Sequence, residues 1–577
     1  MAQNTASRSP QDTLRTAFQL FDQGKLREAL QMAQGLRKDH PTHPDVLHLL
    51  GLICLRGGDP EQAEKFIRLA ISVLPDAAFF HVNLANALRQ QGRRDDALAA
   101  YNRAEELDAT FAGTYVNRGT LHAEEGRAEE AIADFEKAIR CAPDQPEGYL
   151  RLGTFLSAEG DFQRARSTYE RGLDVRPDGP ALLLGLAGAL ERLGDLDAAL
   201  AATERVLEAQ PGMPAAVRLW ATCKRRQGKL EEARDRLERI EIAKLPAPMQ
   251  RALHAELGQV YDRLNETAVA FDHFTAQNKA AAETLEPAGI DKASYMDQVR
   301  ALAAAFTPEW VASWRQIDAD ALTPVPAPVF LVGFPRSGTT LLDQFLNAHD
   351  AIDVIEERPI LLPLRDALQA EGGYPQALAD LTPERANALR ALYAEGMARE
   401  GIEPTSPRTV INKLPLNIIH AGLIARVFPE AKFILSLRHP ADAVLSCFMQ
   451  DFQLNASMAH FLTLKDSVAL YDAVMSLWRQ YRSLLPLSVS HVRYEDLIRD
   501  PQTALAETLA QLGLDWQEGQ RDHAAHAASR GTIRTPSYSQ VTEPLYDRAA
   551  QRWRRYETHL EGILPRLEPY MAEFGYD

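Results

Sequence analysis

Hydrophobic and polar positions follow two different rhythms along the chain. Up to residue 243 the pattern repeats as a unit of fixed length. Gly24, Gly58, Gly92, Gly126, Gly160, Gly194 and Gly228 fall at an unbroken interval of 34 residues. Five residues after each comes an alanine: Ala29, Ala63, Ala97, Ala131, Ala165, Ala199 and Ala233. Pro41, Pro75, Pro143, Pro177 and Pro211 close their units, with Ala109 breaking the series. A second small residue stands seven before most of the turn glycines (Gly51, Ala85, Gly119, Gly153, Ala187, Ala221). This predicts two antiparallel helices per unit. Gly makes the tight turn, small residues let helices approach, and Pro stops the second helix. From residue 324 the rhythm changes to short apolar runs alternating with amphipathic stretches. That alternation predicts a parallel sheet covered by helices.

The period and pattern of residues 10–243 are those of tetratricopeptide repeats, about seven of them. They predict an all-α superhelix with a concave groove. Such a groove suits a peptide, and a scaffold or oligomerisation role suits the array equally. Asn117 and Arg118 place polar groups where a peptide backbone can be held, or on a solvated face. Leu253 to Ala282 reads as a worn eighth unit, with Gly258 and Ala270 in register and Asn265 in place of the turn glycine. Met296, Val299, Leu302 and Phe306 are spaced for one helix face. Residues 244–323 are therefore a degenerate capping repeat and helical linker. Pro324, Pro326 and Pro328 mark a stiff hinge into the last domain, 324–577.

That last domain is organised around Pro328 to His349. Val329–Val332 is a wholly apolar run with β-branched Val329 and Val332, as in a strand buried on both faces. Gly333-Phe-Pro-Arg-Ser-Gly338 is a loop, and Thr339–His349 is an amphipathic helix presenting Leu341, Leu342, Phe345 and Leu346. Strand, glycine loop and helix make a phosphate cradle, because unpaired N–H groups and the positive end of the helix dipole meet there. An NTPase loop needs a lysine before its final Ser or Thr. Here Thr339 occupies that place, and Arg336 lies inside the loop. The site wants a phosphate-like anion but lacks the lysine that reaches a nucleoside triphosphate. Further strands are expected at Val410–Asn412, Lys432–Leu437 and Val489–Arg493. Ligands of such sheets bind at the carboxyl ends of the strands.

Composition narrows the function classes. A net charge of −16 argues against general nucleic-acid binding. Cys54, Cys141, Cys223 and Cys447 are scattered without metal-ligand spacing, as in a reduced cytoplasmic protein, and no metal site is expected. The polar first residues lack the apolar core of a secretory signal, and no apolar run reaches the roughly 18 residues of a membrane span.

Two constellations sit at the predicted strand ends, and a third follows the loop helix. Arg438 closes one strand, and Ser446 lies eight residues on, about two helical turns away on the same face. The planar fork of Arg suits a phosphate. Asn412-Lys413-Leu-Pro415 ends another strand, where a lysine can neutralise charge growing on a leaving oxygen. Glu356-Glu357-Arg358 follows the loop helix, and a carboxylate there can take a hydroxyl proton.

These motifs resemble sulfotransferases, which use 3′-phosphoadenosine 5′-phosphosulfate (PAPS) as donor, and most of all the tyrosylprotein sulfotransferase branch. Pro335-Arg-Ser-Gly-Thr-Thr340 is similar to its 5′-phosphosulfate loop, and Arg438 with Ser446 to its 3′-phosphate motif. The resemblance implies that Glu357 is the catalytic base and Lys413 the transition-state lysine. Val492-Arg-Tyr494-Glu resembles a segment whose Tyr contacts the nucleotide. Ser537 and Gln540-Val-Thr-Glu-Pro544 resemble a loop over the donor, and Arg552 stands where the family grips phosphate. In-line transfer is then expected, with Arg336, Lys413 and Ser537 stabilising the transferring group. Ser337, Gly338, Thr339 and Thr340 hold the 5′-phosphate, and Arg438, Ser446 and Arg552 hold the 3′-phosphate. No metal is required.

Gln450 departs from the family, which has a further Arg there, and puts one nucleotide contact in doubt. The family's animal members are membrane-anchored, whereas this chain is expected to lack an anchor. Fusion to a tetratricopeptide array resembles a group of bacterial sulfotransferases. The acceptor stays open among a protein or peptide tyrosine, a carbohydrate hydroxyl, and a lipid or small-molecule hydroxyl, with the array favouring protein or peptide. The competing readings are a nucleotide kinase or NTPase, and a non-catalytic scaffold. Trp553, Tyr570, Phe574 and Tyr576 are expected to pack on the catalytic domain or on a second chain.

Overall fold

The computed structural model describes residues 9–323, 327–403, 406–522 and 550–576. The chain divides into two compact units, one up to Val206 and one from Leu207.

The first unit is a run of antiparallel helix pairs, such as Pro44–Arg56 with Pro60–Val73 and Ala112–Glu124 with Ala128–Cys141. Each turn glycine has a left-handed φ between 72° and 84°, a conformation costing other residues roughly 1–2 kcal/mol. The following residue then reaches back five positions, as Asp59 N–H does to the Cys54 carbonyl at 3.0 Å. The alanines five residues on are fully buried. The other small positions face the second helix of their own unit. A Cβ on Gly51, Gly119 or Gly153 would lie 2.6, 2.9 or 2.5 Å from the side chain of Ile67, Phe135 or Tyr169. Arg118 is part of the framework: it pairs with Asp134 at 2.8 Å and Glu105 at 2.6 Å, and Asn117 bonds the Gly113 carbonyl of its own helix.

The second unit contains the later helix pairs and the sheet together. In the pair Ala247–Arg263 and Thr267–Ala282, Asn265 makes the turn with φ 64°, as Asn tolerates better than most residues. The helix Lys292–Ala305 buries Met296, Val299 and Leu302. It lies along the long helix Leu464–Leu484, whose Gln480 donates to the carbonyls of Ala303 (2.9 Å) and Phe306 (2.7 Å).

The sheet has five parallel strands: β1 (Val329–Gly333), β2 (Ile352–Glu356), β3 (Thr409–Lys413), β4 (Lys432–Leu437) and β5 (Ser488–Arg493), in the order β2-β3-β1-β4-β5. The expected strands are present. β2 is one more, because Asp353 and Glu356 break its apolar run and it lies at an edge, where one side escapes burial. On one face Leu342, Phe345 and Leu346 of the helix Thr339–Asn347 pack with Leu505 and Leu509 of the helix Pro501–Leu512. On the other, Phe330 and Phe433 meet Tyr393 and Trp478, with ring centroids 5.8 Å apart in each pair. The aromatic tail closes back on this unit. Tyr570 donates to Asp472 Oδ1 at 2.7 Å and Tyr576 to Glu495 Oε2 at 3.0 Å.

Candidate active site

The carboxyl end of every strand leads into one element of the site. β1 runs into the loop 334–338, β2 into Glu357, β3 ends at Lys413, β4 runs into Arg438, and β5 into Tyr494. β1 has β3 on one side and β4 on the other, so the chain's path reverses direction across the sheet at β1. The glycine loop sits at that switch point, the standard ligand crevice of a parallel sheet.

The loop is shaped for close approach. Arg336 and Gly338 both have left-handed φ, 68° and 96°. A Cβ on Gly338 would lie 2.7 Å from the Tyr494 ring. Gly338 is also the N-cap of the helix Thr339–Asn347 and offers no side-chain cap. The first-turn amides of Thr339 and Thr340 therefore keep the donor character that an anion uses. Ser337 Oγ is buried without a hydrogen-bond partner among the described residues.

The two expected anion motifs touch. Arg336 Nε donates to Ser446 Oγ at 3.1 Å, and Arg438 Nη1 donates to the Arg336 carbonyl at 3.0 Å. Ser436 Oγ donates to the Ser337 carbonyl at 3.0 Å, tying β4 to the loop. The Arg438 guanidinium lies over the Tyr494 ring, 5.0 Å from its centroid. Ser446 rides on the helix Pro440–Met449. Arg336, Ser337, Gly338, Arg438, Ser446 and Tyr494 thus form one cluster.

The second cluster is built on Lys413. Its side chain is 0 % exposed, and its Nζ lies 3.0 Å from Glu357, 3.2 Å from Asp343 and 3.4 Å from Glu356. Burial works against the ammonium, but Asp343, Glu357 and Glu356 together outweigh it and hold the lysine's pKa above its ordinary value. Glu356 faces Lys413 across the β2–β3 ladder. Glu357 then turns out of the strand with φ 51°, its N–H bonded to the Lys413 carbonyl at 2.7 Å. Its side chain is a third exposed, the most open of the three carboxylates. Asp343 was not singled out by the sequence reading. Its signal was a lone acid on the apolar helix Thr339–Asn347, an unusual place for an unpaired charge.

Arg552 belongs to neither cluster but sits on a turn packed against the helix that carries Ser446. It pairs with Asp262 of the helix Ala247–Arg263 at 2.8 Å, on a segment whose Trp553 N–H donates to Asp442 Oδ1 at 2.7 Å. Burial raises the Asp442 pKa, against the pull of Arg438. Gln450 lies just past the Ser446 helix, beside Asp451, which pairs with Arg251. Ser537 and Gln540–Pro544 fall outside the described residues, as do Pro324 and Pro326.

A parallel sheet with a glycine anion loop at its switch point defines the P-loop-like α/β class. Within that class, residues 328–518 match the sulfotransferase family model. Residues 20–82, 82–146, 150–214 and 192–257 match tetratricopeptide repeat models. The chain therefore carries tetratricopeptide repeats and a sulfotransferase family domain, with distant similarity to protein-tyrosine sulfotransferases. It is 25% identical to an uncharacterized protein of Aquifex aeolicus over 54% of this chain and 40% of that one. It is 26% identical to protein-tyrosine sulfotransferase 2 of Gallus gallus, over 43% of this chain and 69% of the relative. For protein-tyrosine sulfotransferase 1 of Danio rerio the figures are 25%, 43% and 72%. The chain thus spans less than half of the Aquifex protein. Among solved structures, a thermophilic tetratricopeptide repeat protein of Thermus thermophilus aligns with 32% of this chain and 99% of its own, at 24% identity and a TM-score of 0.30. Among the described residues no helix is long and apolar enough to cross a membrane.

Proposed function

We propose that this protein transfers a sulfuryl group from PAPS to an acceptor hydroxyl. The observation that carries the reading is Lys413 held against Glu357 at 3.0 Å, on a sheet whose neighbouring strand ends build an anion cradle. A base and an electrostatic stabiliser meet where an anionic donor would be held.

The residues present fit the donor. The uncapped helix start at Gly338 and the unpartnered Ser337 Oγ suit a 5′-phosphate oxygen. Arg438 and Ser446 suit the 3′-phosphate, and Tyr494 offers a face to the nucleotide. When bound, PAPS supplies the sulfuryl group and the bisphosphate leaving group. Glu357 takes the acceptor's proton on its carboxylate. Lys413 offsets the negative charge that builds on the leaving side, and Arg336 acts from the loop. Two neighbouring carboxylates, Asp343 and Glu356, keep Lys413 charged when Glu357 carries a proton. Ser537 joins this set on the family resemblance alone.

The acceptor we favour is tyrosine in a protein or peptide, recruited by the repeat array. The distant similarity to protein-tyrosine sulfotransferases supports it. The deciding experiment is calorimetric titration of the full chain with adenosine 3′,5′-bisphosphate, and separately with ATP and magnesium. Micromolar or tighter binding of the bisphosphate, lost in Arg438→Ala, supports the donor site. Tight ATP binding with no response to the bisphosphate would sink it. Transfer of label from PAPS to tyrosine peptides then tests the acceptor.

A further inference from the structure

The final helix pair grips the helix that carries Ser446 at both of its ends. At the far end, Asn278 Nδ2 donates to the Phe448 carbonyl at 2.9 Å, and Phe271 stacks on Phe448 with centroids 5.1 Å apart. At the near end the grip passes through the short 3-10 turn Arg552–Tyr556. Trp553 of that turn bonds Asp442 and stacks on His439, the residue after Arg438, with centroids 4.9 Å apart.

The other side of that turn is fixed by one carboxylate. Asp262 is only 8 % exposed. It accepts from Tyr556 Oη at 2.7 Å and pairs with Arg555 at 3.2 Å. It pairs with Arg552, Nε donating to Oδ1 at 3.2 Å and Nη2 lying 2.8 Å from Oδ2 without a hydrogen bond among the described residues. A guanidinium held through Nε keeps terminal N–H hydrogens for a second anion. A free Arg side chain must lose its rotamer freedom on binding. One already clamped has lost it before the ligand arrives.

We propose that Asp262 is a positioning residue of the donor site, holding Arg552 ready for the 3′-phosphate. The last helical repeat is then part of the nucleotide site. This rests on the sulfotransferase reading above.

The test is calorimetry on the full chain with two probes, adenosine 3′,5′-bisphosphate and adenosine 5′-monophosphate, which lacks the 3′-phosphate. Asp262→Asn is expected to weaken the bisphosphate by about three- to tenfold and leave the monophosphate unchanged. Arg552→Ala is expected to act in the same direction, and the double variant to be no weaker than Arg552→Ala alone. Tyr556→Phe removes another partner of the same carboxylate and is expected to keep bisphosphate affinity within about twofold. If Asp262→Asn does not fold, Asp262→Glu keeps the charge but shifts the carboxylate by a methylene, and it is read the same way. Unchanged bisphosphate affinity overturns the proposal. So does tighter binding, which would make Asp262 a competitor of the phosphate. Equal loss for both nucleotides also overturns it, as damage to the fold. Bisphosphate binding that Arg438→Ala abolishes and Asp262→Asn leaves alone sinks this proposal only. A wild-type chain that binds neither nucleotide sinks the donor reading and this proposal together.

Discussion

Lys413 concentrates both the chemistry and the risk of the site. A fully buried ammonium persists only because three carboxylates surround it. Removing the lysine leaves those carboxylates without their cation, so Lys413→Ala is expected to lose on the order of 100-fold or more in turnover and also to melt earlier. Glu357 is the cleaner probe. It is the most exposed of the three, and Asp343 and Glu356 remain to hold Lys413. Glu357→Gln is therefore expected to lose on the order of 100-fold in turnover, with little change in Tm. Near-normal turnover of the folded variant removes Glu357 from the role of base. The raised pKa of Lys413 puts its stabilising effect below its ordinary pKa of 10.5, to be lost only as pH rises through the still higher folded value. It gives no pH dependence near neutrality. His420 does. Burial, helped by Arg365, pulls its pKa from 6.5 down to about 4. The unfolded chain takes up this proton first, so stability is expected to fall from pH 6.5 towards pH 4, as a declining Tm. The decline should shrink in His420→Gln. At this scale the sequence showed Lys413 and Arg438 as residues of suitable chemistry at strand ends, Ser446 on the helix after one of them, and Glu357 after the loop helix. It marked Asp343 only as an acid on an apolar helix and Asp262 not at all, because an acid's partner is not written in its own stretch of sequence.

The helix pairs and the loop differ in how their glycines work. The turn glycines supply a left-handed φ with open space around them, whereas Gly153 supplies room. Gly153→Ala would put a methyl 2.5 Å from the Tyr169 ring. It is expected to cost about 1–3 kcal/mol, measurable by denaturant unfolding. Gly338 does both jobs at once, with φ 96° and the Tyr494 ring 2.7 Å from any Cβ. Gly338→Ala is expected to abolish measurable bisphosphate binding while the helix pairs keep their circular dichroism. Retained affinity would show that the loop is not the anion site. The helix pairs were legible because their repeat multiplies a weak signal sevenfold in fixed register. β1 and β4 were legible as apolar runs, and β3 and β5 as shorter stretches around Val410-Ile411 and Val489 to Val492. β2 was not, since Asp353 and Glu356 leave no unbroken apolar run in its five residues.

At the scale of the whole molecule, the compact unit from Leu207 onward holds the late helix pairs and the sheet as one body. A chain beginning at Met213 is expected to fold and to bind the bisphosphate within about threefold of the full chain. One beginning at Ala327 would lose the final repeat and so uncover Phe448 and Tyr556, against which Phe271 and Asp262 are placed. It is expected to aggregate or to bind weakly, as light scattering and calorimetry would show. Gel filtration of a well-behaved monomer starting at Ala327 would count against that view. The sequence by itself determined the repeat array, the parallel helix-covered sheet and the glycine loop. These are local matters of periodicity, turn chemistry and apolar runs, and each is written in contiguous residues. Only the tertiary structure decided that Asp343 and both glutamates converge on Lys413, that Arg336 reaches Ser446, and that Asp262 takes Arg552 from 290 residues away. Charge pairing in a buried site depends on distances between strands and helices. Those distances are fixed by packing, which no single stretch of sequence records.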